Sequence, residues 1–261
     1  LDRAGFSFKH LRELKEIGVT GLRMDYHISN QQIAELSQEM TIALNASTIT
    51  EIYIQELREA NADFDHLEAW HNYYPRPETA LDKDWYHEKN QWLKAYGFTI
   101  QGFVPGDEKL RGPLYRGLPT LEEHRGMHPL AAALDLSNET DKVYIGDSGL
   151  SKEVLRQFSF YIKEEALKLR VEAFYKQIEY VLGTHINRQD EARDVIRSAE
   201  ARFKKIPNVE PLSVRKRDVG AVTIDNAKYL RYMGEIQIVK RALPADEKVN
   251  VVGQVIAEDQ A

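Results

Sequence analysis

Two patterns of apolar spacing divide the chain. Up to about residue 163, short apolar runs alternate with stretches of helical period. The runs VTGLRMDY (Val19 to Tyr26), TIALNAS (Thr41 to Ser47), LEAWHNYY (Leu67 to Tyr74), FTIQGFVP (Phe98 to Pro105) and KVYIGD (Lys142 to Asp147) suit strands buried on both faces of a parallel sheet. Helices are predicted between them. One runs from Asn30, placed as its cap, to Glu39; another from about Thr50 to Ala60; a third from about Lys83 to Tyr96, stopped by Gly97. HPLAAALDL supplies a fourth. A fifth runs from Ser151 to about Lys163, with Val154, Leu155, Phe158, Tyr161 and Ile162 on one face.

Five strand–helix units of this spacing imply parallel βαβ topology in an α/β fold. They do not close a (β/α)8 TIM barrel, which needs about 250 residues and eight units. The chain opens at Leu1, directly in a helical pattern, so the opening strands of such a barrel are expected to be missing from it. A doubly wound open sheet is the alternative; its glycine-rich dinucleotide fingerprint G-x-G-x-x-G does not occur.

After about Glu164 the pattern changes. ALKLRVEAF alternates with period two, and GAVTIDN, EIQIVKRAL and KVNVVGQVIAE are strand-like runs separated by turn residues. One further helix is predicted, DEARDVIRSAEARF, from Asp190 to Phe203. Residues 164–261 therefore read as a second, mainly β domain, a small barrel whose end is expected to be truncated.

Composition narrows the classes. A net charge of −6 argues against general nucleic-acid binding, which calls for a basic face. The absence of cysteine excludes disulfides, thiolate metal sites and cysteine nucleophiles, and fits a reducing cytoplasm. No apolar run reaches the length of a membrane span, so no membrane partner is expected.

The candidate chemistry gathers where the predicted strands end, which in a barrel is the catalytic face. Asp25, Asn45, His71, Asn72 and Asp147 stand there. Each has a plainer reading as a helix cap or loop tie, and for Asn45 capping is at least as strong. HNYYPRPETAL adds two tyrosines, Arg76 and Glu78, a mixture suited to a sugar ring. The loop RGPLYRGLPTLEEHR offers Arg111, Arg116 and Arg125 to an anion and Glu122 as an acid; a solvated surface loop is its plainer reading. Ser148, before the last helix of this half, is a further phosphate contact if the loops after the seventh and eighth barrel strands bind it. Glycoside hydrolysis needs two carboxyl groups, and Asp25, Glu78, Glu122 and Asp147 are the candidates. No HExxH or other compact metal-ligand spacing appears, so neither metal nor organic cofactor is expected.

Taken together, GLRMDY, LNAST, HNYYPRPETAL, FVPGD, RGPLYRGLPTLEEHR and IGD, followed by HINRQDEARDVIRSAEAR and VGAVTIDNAKYLRYMGEIQI, resemble the bacterial 6-phospho-N-acetylmuramidases, in order and over nearly the whole chain. The resemblance implies a TIM barrel followed by a cyclophilin-like β-barrel. It implies intracellular hydrolysis of MurNAc-6-phosphate–GlcNAc in peptidoglycan recycling. The positions matching the family are Asp25, Asn45, His71, Asn72, Arg76, Arg111, Arg116, Glu122, His124, Arg125 and Asp147, with Asp225, Asn226, Tyr229, Arg231 and Tyr232 in the second domain. The preferred catalytic pair is Glu122 as acid and Asp147 as second carboxylate, with Asp25 close behind; the substrate's acetamido group is an alternative nucleophile. Two other readings compete: a phosphosugar isomerase or aldolase on the same barrel, and a non-catalytic sugar- or peptide-binding surface protein.

Overall fold

The computed structural model describes residues 9–24, 28–204 and 206–260. The chain divides into two compact units, Leu1–Lys163 and Glu164–Ala261.

Unit 1 is a curled, half-barrel sheet of five parallel strands in sequential order: β1 (Gly21–Arg23), β2 (Thr41–Asn45), β3 (Leu67–Trp70), β4 (Thr99–Val104) and β5 (Lys142–Ile145). Its helices are α1 (Lys9–Glu16), α2 (Asn30–Ser37), α3 (Glu51–Glu59), α4 (Lys83–Ala95), α5 (Pro129–Ser137) and α6 (Lys152–Glu164). Successive side chains of a strand point to opposite faces, and this alternation sorts the sheet. Ile42, Leu44, Leu67, Ala69 and Ile100 pack on Ile33, Leu36, Ile54, Leu57 and Leu93 of the helices in one buried core. The face turned from the helices is polar and aromatic. There the Trp70 indole N–H donates to Glu68 at 2.7 Å, and Lys142 pairs with the other Glu68 oxygen.

Local signals set most helix ends. Thr50 caps α3 by accepting the Tyr53 N–H, and Asp82 caps α4 by accepting that of Trp85. Gly97, at φ +93°, ends α4: its N–H reaches the Lys94 carbonyl while the Phe98 N–H reaches Leu93. The predicted cap Asn30 is instead the first helical residue of α2. Ser29 caps it through a reciprocal box with Gln32, in which each side chain satisfies a backbone donor of the other.

Unit 2 is a five-stranded antiparallel sheet of β6 (Val171–Ala173), β7 (Val195–Arg197), β8 (Ala221–Asp225), β9 (Ile236–Val239) and β10 (Val249–Val255), in spatial order β6-β10-β8-β9-β7. Its core holds Val222, Ile224, Ile236, Val252 and Val255. The helix expected over Asp190 to Phe203 does not form. Val195–Arg197 is an edge strand on β9, and only Ala201–Phe203 makes a turn of 3-10 helix. Asp190 is drawn onto Arg188 and Arg197, and Glu200 accepts the Ile186 N–H, so the polar residues serve tertiary contacts rather than one helical face.

Candidate active site

Beyond β3 and β4 the chain continues as two long segments, residues 71–82 and 105–128, that pair with each other. Tyr74 N–H donates to Pro119 O at 3.0 Å, Leu81 N–H to Thr120 O at 2.9 Å, and the Thr120 hydroxyl to Asn72 O at 2.9 Å. Glu122 and Arg125 lock this arrangement. The arginine donates to both Glu122 oxygens, at 2.6 and 2.9 Å, and its remaining donors reach the carbonyls of Gly117 and Tyr74 at 3.0 Å. Glu122 also accepts the backbone N–H groups of Glu78 and Ala80, each at 2.9 Å.

This geometry bears on two expectations. The Arg125 hydrogen bonds, aided by those two amides, hold the Glu122 carboxyl at about 2, so it has no proton to give near neutral pH. Its contacts are those of a clamp between the two segments. Arg125 in turn spends its guanidinium on hydrogen bonds inside the protein. Glu78 is exposed in a left-handed conformation, φ +70°, and its amide rather than its carboxylate enters the network.

Asp147 ties the second half of the mouth. One oxygen accepts Gly106 N–H at 2.9 Å and Leu118 N–H at 3.0 Å; the other accepts Arg111 N–H at 2.9 Å. Three loop positions thus converge on one nearly buried carboxylate. That pattern fits a loop organiser better than the attacking carboxylate expected from the sequence.

Arg111 itself is exposed. Its guanidinium lies over the Tyr73 ring, 5.2 Å from the centroid, and donates to Gly146 O at 3.3 Å. Arg116 is exposed and its side chain has no partner among the described residues, as is the case for Arg76. Ser148 is exposed nearby, but the Ser151 N–H before α6 already donates to the Asp107 carboxylate at 2.7 Å. The Asp107 carboxylate thus occupies the N-terminal end of α6.

Several residues expected to contact a ligand hold internal hydrogen bonds. Asn45 accepts the Ser47 N–H, the capping role. His71 is fully buried, hydrogen-bonded to Asn90 at 2.7 Å, and burial pulls it down to about 4, so it stays neutral beneath the sheet. His124 is likewise buried against Asp135 at 2.8 Å. Glu123, His124 and Asp135 bring ligand-type atoms close together. The Lys83 ammonium already fills that position, 2.7 Å from Asp135 and 3.0 Å from Glu123. Asn72 does face the polar side of the sheet, where the Arg23 guanidinium donates to it. Asp25 lies outside the described residues.

In unit 2, Asn226 is buried and bound to Glu247 O and Asn250, so it supports its turn. Burial and the nearby Glu235 carboxylate push Asp225 up to about 7. Tyr229, Arg231 and Tyr232 share one turn: Arg231 donates to the Tyr232 hydroxyl at 2.8 Å and the tyrosine rings meet edge-on at 6.0 Å. Leu230 stands 80% exposed at its tip.

The sequence reading missed Arg23, Glu68, Trp70, Phe103, Lys142 and Tyr144, and singled out Tyr73 only as one of two loop tyrosines. Strand alternation would have placed most of them on one face, because Glu68 and Trp70 are two apart, as are Lys142 and Tyr144.

Residues 1–160 match the family model described as 6-phospho-N-acetylmuramidase, N-terminal, and residues 166–261 its C-terminal counterpart. A crystal structure of a conserved Enterococcus faecalis protein of unknown function superposes with a TM-score of 0.93 at 50% identity, covering 100% of this chain and 73% of that one. An uncharacterized B. cereus protein gives 0.76 at 27% identity, over 98% of this chain and 77% of its own. No curated protein matches. Two family matches that together take in both compact units place the chain in the 6-phospho-N-acetylmuramidase family.

Proposed function

We propose that this protein is a cytoplasmic glycoside hydrolase that cleaves MurNAc-6-phosphate–GlcNAc during peptidoglycan recycling. Unit 1 is then the later part of a (β/α)8 barrel, and unit 2 a cyclophilin-like barrel. The observation that carries the reading is the division of labour among the loop arginines. Arg125 is consumed by Glu122 and backbone carbonyls, whereas Arg111 and Arg116 keep donors on the exposed rim of a mouth built by Asp147. Guanidinium groups with donors to spare beside a half-buried tyrosine suit a sugar phosphate. Among the described residues no helix is long and apolar enough to cross a membrane.

With Glu122 and Asp147 serving the loops, Asp25 becomes the preferred catalytic carboxylate, since it follows β1 by two residues. The substrate's acetamido group supplies the nucleophile where the protein offers none. Incubating the intact protein with the phosphorylated disaccharide and its unphosphorylated counterpart, followed by mass spectrometry, tests the reading. Cleavage of the phosphorylated sugar alone is expected, and Asp25→Asn should lower that rate by at least about 100-fold with the fold retained. No cleavage of either sugar by folded protein would reject the activity.

A further inference from the structure

Arg111 differs from every other arginine of the mouth in how it is held. Its backbone N–H is fixed by Asp147 at 2.9 Å, one terminal nitrogen is tethered to Gly146 O at 3.3 Å, and the guanidinium carbon lies over the Tyr73 ring, 5.2 Å from its centroid. Its other two nitrogens have no partner among the described residues, and the side chain is exposed. Tyr73 is itself braced. It meets Phe103 edge-on at 5.2 Å, with an interplanar angle of 87°, and the aromatic row continues through Tyr144 to Trp70, with centroids 6.3 and 6.0 Å apart. The row spans β3, β4 and β5, so a rigid sheet fixes its position.

An exposed arginine normally loses rotamer freedom on binding an anion, and that loss weakens the complex. Here the ring contact and the Gly146 tether already restrict the side chain, leaving the other two nitrogens as a preorganised fork. We propose that Tyr73 is a positioning residue that presents Arg111 as the receptor for the substrate's phosphate. This deepens the proposed function and rests on it for the identity of the phosphate's carrier. The interaction is cation–π and needs the ring but not the hydroxyl.

The test is binding of N-acetylglucosamine 6-phosphate and N-acetylglucosamine to intact wild type, Tyr73→Phe, Tyr73→Leu and Arg111→Lys, by titration calorimetry. Circular dichroism checks that each is folded. Tyr73→Leu should weaken the phosphorylated sugar about three- to tenfold, the range a cation–π contact spans, and Tyr73→Phe should restore it to within about twofold. The unphosphorylated sugar should be unaffected by either change. In turnover of the disaccharide, Tyr73→Leu should raise KM and leave kcat near wild type. Equal affinity in wild type and Tyr73→Leu would overturn the proposal, as would equal weakening of both sugars or failure of wild type to prefer the phosphorylated one. If wild type hydrolyses the disaccharide yet Tyr73→Leu keeps its KM, this inference fails while the activity stands. If phosphate binding depends on Tyr73 but no disaccharide is cleaved, the activity fails while the receptor stands.

Discussion

Glu122 shows how a single residue's role turns on its partners. Its carboxyl is held at about 2, against an ordinary value of 4.5, chiefly by the Arg125 hydrogen bonds. A carboxyl lowered in the folded state stabilises the protein fully above its unfolded value and loses that contribution as pH falls through the folded one. Glu122→Gln should therefore cost about 2 kcal/mol at neutral pH, a figure discounted for the partial exposure of Glu122. The gap between variant and wild type should close between pH 4.5 and about 2, as measured by urea denaturation across that range. A gap independent of pH would mean that the clamp acts through shape alone. The residues forming it could be read from the chain as an arginine-rich loop with an acid. Their pairing could not, because Glu122 meets Glu78 across 44 positions and Asp147 meets Arg111 across 36.

At the scale of elements, close approach of backbones at the end of β5 carries the site. A Cβ added to Gly146 would stand 2.2 Å from the Leu118 carbonyl oxygen and 2.8 Å from Leu118 Cβ, so the neighbouring loop must move. Gly146→Ala should lower kcat/KM about 100-fold by displacing the loops that Asp147 gathers, since a misplacement of about 1 Å suffices for such a loss. Gly97→Ala is the control. It meets open space and strains only the backbone, so it should cost about 1 kcal/mol in thermal unfolding with activity unchanged. The strands of unit 1 were readable because each is a short apolar run between turn signals, and the ends of α3 and α4 because their caps are local. The Asp190–Phe203 segment misled for the complementary reason. Ala192, Val195, Ile196 and Ala199 repeat with helical spacing, but pairing with β9 and the ion pairs of Asp190 with Arg188 and Glu191 with Lys240 outweigh that preference.

For the molecule as a whole, net charge and local charge oppose each other. A net charge of −6 repels an anionic substrate, whereas the mouth offers Arg111 and Arg116 at its rim. Screening acts over about 10 Å at 0.1 M salt, so the adjacent arginines govern the bound state. KM for the phosphorylated disaccharide should rise several-fold between about 0.05 and 0.5 M salt, with kcat little changed. A KM insensitive to salt would argue against ionic recognition of the phosphate.

Local chemistry alone accounts for a five-strand parallel half, a β-rich second half, and polar residues placed at the strand ends. Periodicity, caps and turn residues act within a few positions, and the chain carries them openly. Folding decided which arginine is consumed and which stays available, that Glu122 is an ionised clamp, and that His71 lies beneath the sheet. It also set Tyr73 under Arg111. These outcomes depend on hydrogen bonds, burial and ring stacking between segments tens of residues apart, and such energies exist only once the sheet has brought those segments together.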